Sequence, residues 1–406
     1  MTKLRITVQG CCHGQLNQIY KEVSRLHAKT PIDLLIILGD FQSIRNSQDF
    51  KSISIPPKYQ RFGDFISYYN NELEAPVPTI FIGGNHESMR HLMLLPHGGY
   101  VAKNIYYLGY SNVIWFKGIR IGSLSGIWKK WDFNKQRLSW NDLESDDWKT
   151  NIRALYHVRL SDVAPLFMIR HRIDVMLSHD WPSGVVYHGD IKHLLKFKPF
   201  FEQDIQKGEL GSPATWQLLR DLCPQWWLSA HLHVRFQASI KHNKRNSQLA
   251  NRSTSKIKKN SNEIDLDLSS DDDEKPPAVA KSEEKSEPSL KYDETRFLSL
   301  DKCLPRRRWL EIVEVEPDKS HISWKDKDHC MFWDPEFINN IKIWERNEDA
   351  LRNKSFDDIN WMGLSQSNGK EDIEIEWEKY AVPEYTLDIQ KDEIGQTKLF
   401  ADKFLA

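Results

Sequence analysis

Over the first 240 residues one pattern recurs: a short apolar run rich in Ile, Val and Leu, then a loop of Gly, Asp, Asn or His, then often a helix. The runs are Leu4 to Val8, Leu34 to Leu38, Thr79 to Ile82, Val113 to Phe116, Ile119 to Leu124, Val175 to Leu177 and Trp226 to Leu228. Between them, Asn17 to Ala28 sets Ile19, Val23 and Leu26 along one helical face. Ser212 followed by Pro213 makes an N-cap and first-turn pair for a helix through Leu222. Strands joined through helices predict a mainly parallel, buried sheet, whereas the runs at Val113 and Ile119, split only by Lys117 and Gly118, predict a local hairpin. The expected architecture is α/β, a mixed β-sheet sandwich flanked by helices.

The pattern stops near Lys241. Lys, Asn and Ser follow (KHNKRNSQLANRSTSKIKKN), then acidic and Pro-containing sequence (DLDLSSDDDEKPPAVAKSEEKSEPS). Low hydrophobicity and block charges predict a disordered basic and acidic linker over residues 241–292, whose pieces KHNKR and KIKK are candidates for nuclear import or phosphate contact. Two runs, Thr295 to Leu300 and Arg308 to Val315, then read as edge strands, and the Trp-rich remainder of 293–406 reads as a smaller, mostly helical C-terminal region.

Composition narrows the class. A chain of 406 residues with 40% hydrophobic and 28% charged positions is globular, and its mean hydropathy of −0.59 fits the linker. With 56 basic against 57 acidic residues, any grip on nucleic acid must be local. Five cysteines without framework spacing favour a reducing compartment. The start of the chain alternates like a strand and not like a signal peptide, and the longest apolar run, Leu34 to Leu38, is far short of a membrane span. With no heptad or self-complementary patch, a monomer is expected.

The chemistry sits where the runs end. Five blocks follow five predicted strands: Gly10-Cys11-Cys12-His13-Gly14, Gly39-Asp40, Gly84-Asn85-His86-Glu87, Ser178-His179-Asp180 and Ala230-His231-Leu232-His233. Open α/β sheets gather ligands at such ends. Cys11, His13, Asp40, Asn85, His179, His231 and His233 all offer donors to divalent transition metals, enough for two ions. In an extended segment residues two apart point the same way, so Cys11 with His13, and His231 with His233, should face the site together while Cys12 points away. Asp40 is the expected bridge between ions about 3.5 to 4 Å apart, the spacing of two-metal phosphoester hydrolysis.

The order C-x-H, G-D, G-N-H-E, S-H, H-x-H resembles the calcineurin-like metallophosphoesterase superfamily. It departs in having Cys11 where most members carry Asp, and Ala230 where they carry Gly. The Cys form, with the stretches GCCHG, IFIGGNHE, SHDWP, AHLHVRF and TRFLSLDKCLPRRRWLEI, resembles the RNA lariat debranching enzymes. The resemblance implies a metallophosphoesterase catalytic domain over residues 1–240. It implies two divalent metal ions (Fe, Zn or Mn), one on Cys11, His13, Asp40 and His233 and the other on Asp40, Asn85, His179 and His231. It makes His86 the general acid or oxyanion stabiliser, with Glu87 or Asp180 as candidates to orient a histidine. A lariat-recognition loop falls at residues 125–153, a stretch mixing cations and aromatics in which Trp128, Lys129, Lys130 and Arg153 are candidate RNA contacts alongside Trp131, Lys135, Arg137 and Trp140. Arg306 to Arg308 are a second basic candidate. The implied activity is hydrolysis of the 2'-5' phosphodiester at the branch of intron lariats, in the nucleus and possibly also the cytoplasm. Branched RNA is the implied partner, with no membrane and no small-molecule cofactor beyond the metals. The alternatives are another phosphodiester or phosphomonoester on the same fold, or a non-catalytic adaptor.

Overall fold

The computed structural model describes residues 3–145, 148–242, 291–366 and 375–406. Of the expected linker, residues 243–290, with KIKK and most of KHNKR, lie outside the described residues, whereas Lys241 ends a strand.

The apolar runs pair into two sheets. The first has the order β12, β1, β2, β3, β5, β4, formed by β1 (Leu4–Gln9), β2 (Leu34–Ile37), β3 (Thr79–Phe81), β4 (Gly99–Ala102), β5 (Ile105–Tyr107) and β12 (Leu310–Val315). The second runs β10, β11, β9, β8, β7, β6, β13, formed by β6 (Ser111–Phe116), β7 (Ile119–Leu124), β8 (Val175–Ser178), β9 (Trp226–Ser229), β10 (Phe236–Lys241), β11 (Glu294–Ser299) and β13 (Met331–Trp333). The centre of each sheet is parallel, β1 with β2 and β3, β7 with β8 and β9. β6 and β7 form the expected antiparallel hairpin, with Lys117 (φ 44°) and Gly118 (φ 77°) both left-handed, as a two-residue turn matching strand twist requires.

Alternation along each strand builds the layers. Ile6, Val8, Leu34 and Ile36 of the first sheet share one buried cluster with Ile114, Ile121, Leu177 and Leu228 of the second, so the sheets pack face to face. On the first sheet's other face, Leu35 and Ile37 pack on Ile19 and Val23 of the helix Leu16–His27. On the second sheet's other face, Met176, Trp227 and Phe297 meet the helices Leu160–Phe167, Pro213–Leu222 and Pro335–Leu351. Ser212 caps its helix as expected, its Oγ accepting from Thr215 N–H at 3.2 Å.

One expectation is corrected. β12 is an edge strand, antiparallel to β1, but β11 is not: it lies inside the second sheet, antiparallel to β10 and parallel to β9. Its register with β9 begins only at Arg296, so the exposed Glu294 projects past β9 and gives the polar start that reads as an edge. The short strands β4 and β5 carried no run long enough to be singled out. The C-terminal segment thus completes both sheets, and Val315, Trp333, Phe400 and Phe404 join the buried layer between them.

Candidate metal centre

The five blocks leave the carboxyl ends of β1, β2, β3, β8 and β9, and the parallel pairing brings those ends together. Four of the donors sit in left-handed backbone: His13 (φ 50°), Asp40 (φ 47°), His231 (φ 60°) and His233 (φ 50°). Non-glycine residues hold that conformation only where the surroundings enforce it, and such strain gathers at functional sites. This corrects the alternation argument. β1 ends at Gln9 and β9 at Ser229, so Cys11, His13, His231 and His233 are presented by tight turns and not by extended chain. Cys12 does point away, packing with Leu16 and Ile19 under the first sheet.

Cys11, His13, Asp40 and His233 form one group, each offering a ligand atom within 4.8 Å of the others. His13 Nε2 faces His233 Nε2 at 3.1 Å and Asp40 Oδ2 at 3.6 Å. Around the other Asp40 oxygen lies the second group. His179 Nε2 stands 3.6 Å from Oδ1 and 3.3 Å from Asn85 Oδ1, and the His231 ring centroid is 5.1 Å from that of His179. Buried Asp40 Oδ2 accepts no hydrogen bond from the described residues, a costly state for a carboxylate unless a cation meets it. Donor atoms of like polarity facing one another at these separations fit divalent metal coordination by Cys, His, Asp and Asn.

Protonation agrees with that fit. Burial lowers the pKa of His13 and His231 and, with His13 beside it, takes His233 down to about 3, leaving neutral imidazoles, the form that ligates. Burial pushes the Asp40 carboxyl up, but His179, His13 and His86 outweigh it and hold it below the usual carboxylate range. Burial and then Asp40 push the Cys11 thiol up, so the protein alone keeps it protonated and a cation is what would draw off the proton.

Neighbouring groups fix the rings. His179 Nδ1 is 2.7 Å from Leu38 C=O, which turns Nε2 inward. His86 Nδ1 is 3.1 Å from Ser54 C=O, its backbone N–H donates to Asp40 Oδ1 at 2.8 Å, and its ring centroid is 5.7 Å from that of His13. Ser54 escaped the sequence reading because it lies in a loop with no motif. Close approach explains Gly84: a Cβ there would fall 2.3 Å from Asp40 Oδ1.

Among the described residues Glu87 orients no histidine. Its oxygens accept from the N–H groups of Phe41 (2.7 Å), Gln42 (2.8 Å) and Gly84 (3.0 Å), clamping the turns after β2 and β3 together. Asp180 takes Trp181 N–H at 2.9 Å and Trp128 N–H at 3.1 Å, and its charge opposes the burial of His231. It thereby ties the metal site to residues 125–153.

Those residues divide. Trp128 is half-buried with its ring 4.5 Å from that of Phe133, and Arg137 is turned inward over the Tyr110 ring and onto Asp162, so both pack the segment down. Trp140 is also engaged, with the Arg90 guanidinium 4.7 Å from its ring and 4.7 Å from that of Trp148. Lys130 and Arg153 are exposed, and Trp131 is 66% exposed with Lys129 Nζ 5.5 Å from its ring.

Two α-β layers closing on such a cluster describe a metal-dependent phosphoesterase, and the calcineurin-like phosphoesterase family matches residues 4–235. A second family, described as the lariat debranching enzyme C-terminal domain, matches residues 292–379. The chain is 77% identical over 405 residues to the lariat debranching enzyme of Saccharomyces cerevisiae, covering 100% of both chains. It is 41% identical over 350 residues to that of Schizosaccharomyces pombe, covering 77% of this chain and 73% of the relative. The Homo sapiens enzyme is 39% identical over 327 residues, 80% of this chain and 52% of the relative. The chain belongs to the lariat debranching enzyme family.

Proposed function

We propose that this protein hydrolyses the 2'-5' phosphodiester bond at the branch of excised intron lariats. The carrying observation is the Asp40 carboxylate, whose two oxygens face two separate donor groups within a chain related over its whole length to lariat debranching enzymes. Cys11, His13, Asp40 and His233 would hold one divalent ion, and Asp40, Asn85, His179 and His231 the other. The Cys11 thiolate favours Zn or Fe over Mg, with Mn also admitted by the histidines and Asn85. When bound, such ions acidify the attacking water and neutralise charge on the phosphate oxygens.

The chain's own residues supply the rest. Ser54 C=O holds the Nδ1 proton of His86, so Nε2 is the atom that exchanges a proton with the reacting groups. Protonated, it donates to the departing 2'-oxygen as the bond from phosphorus to that oxygen breaks. The products are a 5'-phosphate and a free 2'-hydroxyl, and the lariat becomes linear. The exposed Trp131, Lys130 and Arg153, with the half-buried Lys129, suit stacking and phosphate contact with unpaired nucleotides. We place the protein in the nucleus, where introns are excised, as a monomer. Among the described residues no helix is long and apolar enough to cross a membrane.

A synthetic branched RNA and a linear control, incubated with metal-loaded protein, test the reading. Wild type should release the 2'-linked arm and spare the linear RNA, and His86→Ala should lower kcat by about 100-fold or more with metal content unchanged. A branched RNA left whole while bis-p-nitrophenyl phosphate is hydrolysed would move the assignment to another phosphodiester.

A further inference from the structure

The metal centre is flanked on more than one side. Residues 125–153 approach the His179 and His231 group through Asp180. Beside the other group lies a basic loop, residues 302–308, contributed by the C-terminal segment. Cys303 N–H donates to Cys11 C=O at 3.2 Å, Gly10 N–H donates to Trp309 C=O at 3.0 Å, and Asp301 N–H donates to Arg308 C=O at 3.1 Å. The loop is therefore pinned to the turn that carries Cys11 and His13. Gly10 is required there, since a Cβ would fall 2.1 Å from Asp301 C=O.

The Lys198 ammonium, at the end of the helix Ile191–Phe197, is within electrostatic reach of this loop. Burial, opposed by Asp301 and reinforced by Arg307 and Lys302, holds the Lys198 ammonium below the usual lysine range, so the three cations lie within electrostatic reach of one another. Asp301 supplies counter-charge to that group, 3.0 Å from Arg307. Next to Lys198, Phe197 is 64% and Phe200 67% exposed, and Lys198 Nζ is 5.8 Å from the Phe200 ring. Gathered cations beside exposed aromatic rings, continuous with a phosphoester site, are the ingredients of single-strand recognition: phosphates relieve the repulsion and bases cover the rings.

We propose that the 302–308 loop, together with Lys198 and Phe200, binds a single-stranded RNA arm of the branched substrate, beside the Cys11, His13 and His233 group. A branched RNA has more than one arm, and this surface serves one that residues 125–153 do not. The inference rests on the debranching reading.

The test compares kcat/KM for a branched RNA with arms of several nucleotides against one trimmed to single nucleotides around the branch. Wild type should favour the long-armed substrate. In Lys302→Ala/Arg307→Ala that preference should fall, and the slope of log affinity for the long-armed RNA against log salt should shrink by about 1.4, or about 0.7 per lost phosphate contact. Phe200→Ala, on a helix end outside the loop, should lower the preference roughly five-fold, near the low end for one stacked base. It also reads the same surface should the double variant misfold. An unchanged preference and slope in a folded double variant, or in Phe200→Ala an unchanged preference, overturns the proposal, as does a wild type indifferent to arm length. A wild type that cuts neither branched RNA is a different failure, that of the debranching reading itself.

Discussion

At the carboxyl ends of the central strands, Asp40 is 1% exposed and its Oδ2 accepts no hydrogen bond from the described residues, while His13 and His233 turn ring nitrogens toward one another at 3.1 Å. On the second sheet another buried cluster of charge behaves in the opposite way. Arg120 in β7 donates from Nε to Asp334 at 2.8 Å, and from Nη2 to Asp334 at 2.7 Å and Glu336 at 2.8 Å. Asp334 also accepts from Trp115 Nε1 and Phe337 N–H, and Glu336 accepts from Arg170 N–H at 2.7 Å and pairs with His171 at 3.0 Å. Of the Arg120 nitrogens, Nη1 has no partner among the described residues. In one cluster each charge meets an opposite charge, whereas in the other a buried carboxylate is ringed by neutral imidazoles and a thiol. The first arrangement balances its charges within the protein and fastens the C-terminal segment to the second sheet. The second is unfavourable without a cation, so the chain tolerates it only for function.

The contrast breaks most sharply at Asp40. Asp40→Ala removes the shared carboxylate, and debranching should fall at least about a thousand-fold, the scale of several kcal/mol of metal-assisted transition-state stabilisation. Metal content by mass spectrometry should fall with it while the far-UV circular dichroism stays that of a folded protein. Retained metal and activity would remove Asp40 from the bridge.

Arg120→Met should show the reverse. It strands Asp334 and Glu336 in a buried setting, a loss of about 3 to 5 kcal/mol in urea unfolding, with kcat per folded molecule held. A fall in kcat at full stability would mean that the two clusters are coupled.

The smallest effect is read with acid. Burial pushes the Glu336 carboxyl up, but the His171 hydrogen bond, the Arg120 charge and Arg170 N–H bring it from 4.5 down to about 2. A pKa depressed in the folded state contributes stability that is whole above about 4.5 and lost as pH falls toward 2, roughly 3 kcal/mol in total. Urea midpoints taken between pH 6 and 3 should therefore decline in wild type and decline less in Glu336→Gln. Parallel curves would show that the carboxylate is not what the acid titrates.

By itself the sequence determined the elements and the inventory. Ile, Val and Leu runs of strand length, spaced by helices with Ser212 and Pro213 at a start, dictate a parallel-centred α/β sandwich because alternation and helical periodicity are local properties. The candidate donors were legible for the same reason, since each block that carries them directly follows a run that must be a strand. Arg137 and Trp128 stood out among the cations and aromatics of residues 125–153, but composition could not show that both turn inward onto Asp162 and Phe133.

Only the tertiary structure decided what depends on residues far apart in the chain. The insertion of β11 between β9 and β10 follows from sheet pairing, not from its own half-polar pattern. The turns at His13, Asp40, His231 and His233 take left-handed backbone that their local sequence does not announce, because the cost is met by packing around them. Glu87 became a clamp on two turns, and Ser54 the partner of His86, because β2 and β3 lie side by side. Local physics chose which residues to make available, and long-range pairing chose which of them meet.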